Sequence, residues 1–263
     1  MNNKSPLRYP GGKTRACRTL YDVVASHYQV DETTYILSPF FGGGSFEFHL
    51  QNRHPSLRIV ANDRFVPLYH FWKAAKEDGG RLGDHIEAIR AEGVSKEEFR
   101  TLQREIMDKG DDMLSQATDY FVINRCSFSG ATLSGGYSAA AAHDRFTASS
   151  VERVRRLDLS AFDIHNDDFE TFIHEHYSEN CILFLDPPYY LDNSTLYGKN
   201  GDMHEGFDHE RLAQCIRGKR WILTYNDCPC IRNLYREYTI LDASWTYGMN
   251  KSKQSSEIII VSV

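Results

Sequence analysis

The sequence predicts an α/β domain with a mostly parallel sheet, interrupted by a mainly helical insertion. Seven short apolar runs recur along the chain, at residues 35–37, 59–61, 162–164, 182–185, 221–224, 239–241 and 258–261. Most are almost continuously hydrophobic, which is typical of strands covered on both faces. Helix-length amphipathic segments lie between many of the runs, and this alternation favours a parallel sheet.

The segment from residue 66 to residue 158 has a different pattern. It contains no convincing strand, and several stretches have helical spacing. Ser95 and Glu98 form a capping box at the start of one predicted helix, and residues 112–125 form another. We therefore assign residues 1–65 and 159–263 to the α/β core and residues 66–158 to the insertion.

The composition predicts a globular protein that works inside the cell. Of 263 residues, 41% are hydrophobic and 25% are charged, which is ordinary for soluble domains. No apolar run approaches the roughly 20 residues of a membrane span, and the amino terminus lacks the apolar segment of a secretory signal. The 6 cysteines include no C-x-x-C pair, so we expect reduced thiols and no metal.

The overall charge argues against a protein that binds polyanions over its whole surface, because the net charge is −6. It does not exclude a local basic face. Taken alone, each basic cluster indicates only a solvated surface. The clusters are Arg8, Lys13, Arg15 and Arg18, and later Arg145, Arg153, Arg155 and Arg156.

Two glycine-rich stretches argue against two common nucleotide sites. Residues 38–46, SPFFGGGSF, follow the first predicted strand and begin a helix, where open α/β sheets bind cofactors. A dinucleotide fingerprint needs a third glycine where Glu47 stands. Residues 9–14, YPGGKT, lack the first glycine of a P-loop, because Leu7 occupies its position. The sequence therefore disfavours both a nicotinamide cofactor and phosphate transfer.

An acid follows the second predicted strand, some 20 residues beyond the glycine loop. Asp63 at this distance, at a strand end, is suited to binding ribose hydroxyls. The site therefore accepts a nucleoside but lacks pyrophosphate-binding chemistry. S-adenosylmethionine is such a ligand.

Residues 185–190, LDPPYY, end the fourth predicted strand with an acid, two prolines and two aromatic residues. Proline cannot donate to a sheet and fixes its own φ, so the strand must end at Asp186. A rigid turn explains the prolines but not the residues on either side of them. We therefore favour a functional site at this strand end.

The order of these motifs resembles that of the Dam-type DNA adenine-N6 methyltransferases of the α group, over nearly the whole chain. The motifs are RYPGGK, SPFFGGGS, NDR, NDDF and LDPPYY, and INRCSFSG is similar to the family's segment at the DNA interface. The resemblance implies a Rossmann-like methyltransferase sheet and an insertion that recognises the target. It implies transfer of a methyl group from S-adenosylmethionine to the N6 amine of adenine in duplex DNA, by base flipping.

The resemblance also implies a monomer without metal, located in the cytoplasm of a bacterium or encoded by a phage or other virus. Its partner is double-stranded DNA rather than a membrane. The recognition sequence, and a cognate restriction endonuclease that acts separately, stay open. So do two alternatives: methylation of RNA or of a protein amide, and a catalytically silent nucleic-acid-binding homologue.

The family's cofactor residues carry over by position. Tyr9 and Lys13 would border the methionine end of the cofactor and the base pocket, and Gly42 and Gly44 would pass beneath the methionine. The full set is Tyr9, Lys13, Ser38, Phe40, Gly42, Gly44, Ser45, Asp63, Asp168, Phe169 and Asp186.

Three of these residues would bind the nucleoside, and one departs from the family. Asp63 would bind the ribose hydroxyls, Asp168 would accept from the adenine amine, and Phe169 would lie against the ring. Ser38 stands where the family has an acid. We therefore expect a weaker grip on the ammonium group of the cofactor.

The resemblance gives LDPPYY a catalytic role through Asp186, Pro187, Pro188 and Tyr189. An adenine amine is a poor nucleophile, because its lone pair is delocalised into the ring. The carboxylate of Asp186 and the carbonyl of Pro187 would accept hydrogen bonds from this amine and raise the electron density on nitrogen. The ring of Tyr189 would stack on the extruded base.

The expected DNA contacts come from the amino terminus and the insertion. They are Arg8, Arg125, Ser127, Phe128, Tyr137 and Arg145. Arginine can contact phosphate or read guanine, and Phe128 would wedge beside the vacated base. We further expect one basic cleft beside Asp186, lined by Arg8, Arg15, Arg125, Arg145 and at least one of Arg153, Arg155 and Arg156.

Overall fold

A computed structural model describes residues 3–110, 112–190, 206–246 and 254–262. Within these ranges, seven strands form one sheet: β1 (Tyr35–Ser38), β2 (Arg58–Asn62), β3 (Phe162–His165), β4 (Cys181–Leu185), β5 (Trp221–Asn226), β6 (Thr239–Thr246) and β7 (Gln254–Val261). Their order across the sheet is β3-β2-β1-β4-β5-β7-β6. The first five of these run parallel, and β7 is antiparallel to both β5 and β6. The predicted Rossmann-like, mostly parallel sheet is confirmed.

Ten α-helices lie in the same described ranges. They are α1 (Cys17–His27), α2 (Ser45–Arg53), α3 (Val66–Glu92), α4 (Lys96–Glu105), α5 (Met113–Cys126), α6 (Ala139–Asp144), α7 (Ala148–Arg155), α8 (Phe169–His176), α9 (His209–Cys215) and α10 (Pro229–Leu234). None of them, in this part of the chain, is both long and apolar enough to cross a membrane.

Both faces of the sheet are covered by helices, which explains the continuous apolar runs of the strands. Ile36 of β1 belongs to a core with residues of α1, α2 and α3, whereas its neighbour Leu37 belongs to a second core with α8, α9 and α10. Adjacent strand residues point to opposite faces, so each face needs its own apolar set. All five residues of β4, at the centre of the sheet, are buried.

Between β2 and β3, the regular elements of the described residues are helices, from α3 to α7, with one isolated bridge between Ser127 and Tyr137. The predicted capping box of Ser95 and Glu98 begins α4. Phe71 and Trp72 of α3 nevertheless pack in the same core as the sheet residue Phe162. The segment therefore shares a core with the sheet, and its role as a separate recognition unit stays a prediction.

Candidate active site

The loops that follow the parallel strands enclose a cavity of about 770 Å³. It opens beside β1 and β4, where the order of strands along the chain reverses. Ligands of open α/β sheets bind at this switch point, beyond the carboxyl ends of the strands. Of the predicted residues, those that line the cavity are Tyr9, Lys13, Phe40, Gly42, Gly44, Ser45, Asp63, Phe169, Asp186, Pro187, Pro188 and Tyr189.

The glycine loop between β1 and α2 has a backbone conformation that residues with side chains rarely adopt. Gly42 and Gly44 have φ values of 50° and 65°, in the left-handed region. A Cβ atom on Gly43 would lie 2.6 Å from Cβ of Tyr9, so glycine is needed for Tyr9 to pack on the loop. From the opposite side, the indole N–H of Trp72 donates to the Gly42 carbonyl at 2.9 Å. The loop is thereby fixed on both sides.

Asn62, at the end of β2, joins three loops around the cavity. Its side-chain amide donates to the carbonyls of Pro39 and Asp167, both at 3.1 Å. Its side-chain oxygen accepts from the backbone N–H of Asp167 at 2.7 Å. Asn62 is 1% exposed, and its polar atoms therefore need these partners. The sequence analysis did not single out this residue.

Asp63 places a carboxylate against the glycine loop. Its Oδ2 accepts from the backbone N–H of Gly42 and its Oδ1 from that of Phe65, both at 2.9 Å. Burial raises the pKa of Asp63 to about 6, and the two backbone hydrogen bonds oppose this rise. Ribose hydroxyls would add further donors to a carboxylate that is already oriented by the loop.

Three aromatic rings form one wall of the cavity. The ring of Phe169 lies 5.7 Å from that of Phe40 and 5.5 Å from that of Phe207, centroid to centroid. The guanidinium of Arg211 lies 4.4 Å from the Phe169 centroid. A flat heteroaromatic ring is a suitable ligand for such a wall. Phe207 and Arg211 were not among the predicted site residues.

Asp168 does not line the cavity within the described residues, whereas Asp167 does. The Asp168 carboxylate caps α8 by accepting from the N–H of Glu170 at 3.1 Å. It also forms ion pairs with Arg211 and, at 3.4 Å, with Arg64. The expected contact of Asp168 with adenine does not agree with this geometry, because its carboxylate is committed to the cap and to two arginines.

Asp186 directly follows β4, and two hydrogen-bond donors hold its carboxylate. The hydroxyl of Thr224 donates to Oδ1 at 2.6 Å, and Nζ of Lys13 donates to Oδ2 at 2.8 Å. Lys13 is 4% exposed and its Nζ lies 5.0 Å from the centroid of the Tyr189 ring. Carboxylate and aromatic ring therefore face one point in the cavity. Thr224, on the neighbouring strand β5, was not predicted.

Ser38 is buried at the end of β1 and does not itself line the cavity among the described residues. Its hydroxyl donates to Oε1 of Glu47 at 2.5 Å, and Glu47 does line the cavity. Burial raises the pKa of Glu47 to about 7. Sequence analysis considered Glu47 only as the residue that breaks a dinucleotide fingerprint.

Arg125 is 7% exposed, and the expected contact of its side chain with DNA is therefore wrong. Its guanidinium donates to the carbonyl of Arg145, and Nη1 to that of Pro6 at 3.2 Å. Burial, and after it the charges of Arg8, Arg153 and Arg145, lower the pKa of Arg125 to about 10. Arg125 thus binds the backbone carbonyls of Pro6 and Arg145 inside the protein.

The basic cleft stays a prediction, and its arginines differ in exposure and in their partners. Arg145 and Arg153 are exposed, and Arg8 is half-buried, with its guanidinium donating to the Ser127 carbonyl at 3.0 Å. Two other arginines of the prediction are paired with acids, because Arg155 contacts Asp84 at 2.9 Å and Arg156 contacts Glu152 at 2.5 Å. Arg15 is exposed.

Three expected DNA contacts of the insertion differ in their accessibility. Phe128 is 63% exposed, which suits a ring that enters a duplex. Ser127 is fully buried, and its hydroxyl accepts from the N–H of Thr132 at 3.2 Å. Tyr137 is half-buried, and its hydroxyl donates to the Val94 carbonyl at 2.8 Å. The expectation for Ser127 is wrong because it has no exposed surface, and the Tyr137 hydroxyl already has a structural partner.

Comparison with known proteins identifies the family of this chain. Residues 9–249 match the sequence profile described as D12 class N6 adenine-specific DNA methyltransferase. A relative is the type II methyltransferase M.MjaIII of Methanocaldococcus jannaschii, 22% identical over 210 residues, which are 74% of this chain and 72% of the relative. The chain therefore belongs to the D12 class of N6 adenine-specific DNA methyltransferases, and it transfers a methyl group from a methyl donor to adenine in DNA.

Proposed function

We propose that the methyl donor is S-adenosylmethionine and that it binds in the cavity at the ends of β1, β2 and β3. The donor supplies an electrophilic methyl group on a sulfonium. Asp63 would accept from its ribose hydroxyls, and the wall of Phe40, Phe169 and Phe207 would contact its adenine. The glycine loop supports this proposal, because it lets backbone approach a ligand while lacking the pattern for a pyrophosphate.

We also propose that the target adenine enters beside Asp186 and Tyr189, outside the duplex stack. The Asp186 carboxylate and the Pro187 carbonyl would accept the two N6 hydrogens, which localises the lone pair on nitrogen. The carboxylate would then accept the proton that the methylated nitrogen releases. Lys13 and Thr224 would orient the Asp186 carboxylate toward the amine. Positioning of reacting groups supplies a large part of a catalysed rate.

The DNA would lie across Phe128 and the group formed by Arg8, Arg145 and Arg153. The two exposed arginines of this group supply charge for phosphates, and Arg8 precedes Tyr9, which lines the cavity. Phe128 would fill the space that the extruded base vacates. The helical segment at 66–158 would then supply target recognition.

Three further properties follow the family resemblance. We propose that the protein is a monomer in solution and that it acts inside the cell, where its DNA substrate is. A restriction endonuclease of the same specificity, where one accompanies it, would act as a separate protein.

The observation that carries the proposal is the position of Asp186, held by Lys13 and Thr224 where the cavity meets the Tyr189 ring. The test is Asp186→Ala, measured with radiolabelled S-adenosylmethionine on duplex DNA, RNA and protein, and by calorimetry for donor binding. We expect transfer to DNA to be lost while donor binding stays within about threefold.

Asp242→Ala is a matched control, because Asp242 is 83% exposed and lies on β6. It should transfer at the rate of the unchanged protein. Near-normal transfer by Asp186→Ala would contradict the catalytic assignment. Labelling of RNA or protein in preference to DNA would contradict the substrate.

A further inference from the structure

Glu47 is a buried acid that lines the cavity. It lies in the first turn of α2 and is 2% exposed. The hydroxyl of Ser38 donates to its Oε1 at 2.5 Å. In the described part of the chain, Lys13 is the cation whose charge lowers the pKa of Glu47, but its ammonium forms its ion pair with Asp186. A buried carboxylate without a cation is costly, so such groups are concentrated at functional sites.

The surroundings of Glu47 favour a cationic ligand over a neutral one. The amino-terminal end of α2 and the Ser38 hydroxyl would stabilise the negative charge of Glu47. The titratable groups that face it are Cys17 on α1, Lys13 in the preceding turn and Asp186 beyond β4. Lys13 already donates to Asp186 at 2.8 Å, so its charge is shared with another acid.

We infer that Glu47 binds the α-ammonium group of the methyl donor, with Ser38 positioning its carboxylate. The family resemblance calls for an acid at position 38, and here the acid would come instead from nine residues further along the chain, on α2. This inference rests on S-adenosylmethionine being the donor.

The direction of the donor in the cavity agrees with this role. The ribose and adenine would lie toward Asp63 and Phe169, at the ends of β2 and β3. The sulfonium must lie near Asp186, where the target amine is held. The amino-acid end then extends away from the nucleoside, into the part of the cavity that Glu47 lines beside the loop after β1.

The test compares two ligands on Glu47→Gln, which keeps the size of the side chain. S-adenosylhomocysteine contains the α-amino group, whereas 5′-methylthioadenosine has the same nucleoside without it. By calorimetry, we expect the variant to bind S-adenosylhomocysteine about 10- to 100-fold more weakly, as for loss of one charged hydrogen bond. Binding of 5′-methylthioadenosine should change by less than about twofold.

Equal losses for the two ligands would overturn the inference, because they would indicate a general distortion of the cavity. Unchanged binding of both would overturn it as well. A control is Asp119→Asn, since Asp119 is a buried acid of α5 outside the cavity lining. It should leave both affinities unchanged. Failure of the unsubstituted protein to bind either ligand would instead refute the proposed donor.

A second measurement follows the charge directly. In the unsubstituted protein, affinity for S-adenosylhomocysteine should rise between pH 6 and about 7.5, as Glu47 ionises. It should fall again at alkaline pH, where the α-amino group of the ligand loses its proton. The rise should be smaller with 5′-methylthioadenosine and in Glu47→Gln, because only Asp63, with a pKa of about 6, then contributes to it. If Glu47→Gln keeps the full rise, Glu47 does not cause the difference and the inference fails.

Discussion

Replacing Thr224 by valine removes one of the two donors that hold the carboxylate of Asp186, the proposed catalytic group. The hydroxyl of Thr224 lies 2.6 Å from Oδ1 of Asp186, and valine has the same branched shape without it. The side chain is fully buried, so water would not replace the missing donor readily. A hydrogen bond to a charged acceptor contributes about 1.5–3 kcal/mol, so we expect the rate of methyl transfer to fall about 10- to 100-fold.

Single-turnover transfer to duplex DNA is the suitable assay, because it separates the chemical step from product release. Thr224→Val should lower the rate constant of this step and leave donor affinity within about twofold. Thr118→Val is the matched control, since Thr118 is a buried threonine of α5 whose hydroxyl donates to the Leu114 carbonyl at 2.8 Å. An unchanged rate in Thr224→Val would refute the positioning of Asp186 by this strand. A loss of donor affinity would place the effect of Thr224 in the cofactor site.

Three further predictions concern charge. Asp63→Ala should weaken donor binding by about 1.5–3 kcal/mol in calorimetry, and affinity of the unsubstituted protein should fall as pH drops below about 6, where Asp63 takes up a proton. Burial raises the pKa of Glu47 from 4.5 to about 7, so the free energy of unfolding should fall as the pH rises through that range. In urea unfolding, Glu47→Gln should be about 2–4 kcal/mol more stable than the unsubstituted protein at pH 8 and almost equally stable at pH 4. Arg145→Ala should lower the salt slope of DNA binding by about one unit, measured by fluorescence anisotropy, whereas the exposed Arg236, which follows α10, should not affect the slope when replaced by alanine.

The strands and the strand-end motifs could be predicted because their signals are local. An apolar run such as 182–185 is followed at once by the acid and prolines that end it. The positions of Asp63 and Asp186 on the cavity follow from this, since parallel strands bring their carboxyl ends to one edge of the sheet.

The errors concern the direction of single side chains, which a linear pattern does not contain. Asp167 and Asp168 are adjacent acids, yet one lines the cavity and the other caps α8. Arg125 belongs to a helix whose residues from 116 to 126 are all buried, so its charge is satisfied inside the protein by carbonyls. Ser38 and Glu47 form their contact across the glycine loop, and no sequence spacing marks it.

The balance of charge around the cavity matches the proposed donor, S-adenosylmethionine, better than it matches S-adenosylhomocysteine, which that donor would leave. Within the described lining, six carboxylates face three cations. The acids are Glu47, Asp63, Asp167, Asp186, Asp208 and Glu257, and the cations are Lys13, Arg64 and Arg211. A donor with a sulfonium, an ammonium and a carboxylate has a net charge of +1. Transfer of the methyl group leaves a neutral sulfur and a ligand with no net charge. Coulomb attraction to an acidic cavity would therefore be lost during the reaction, which favours release of the product over retention.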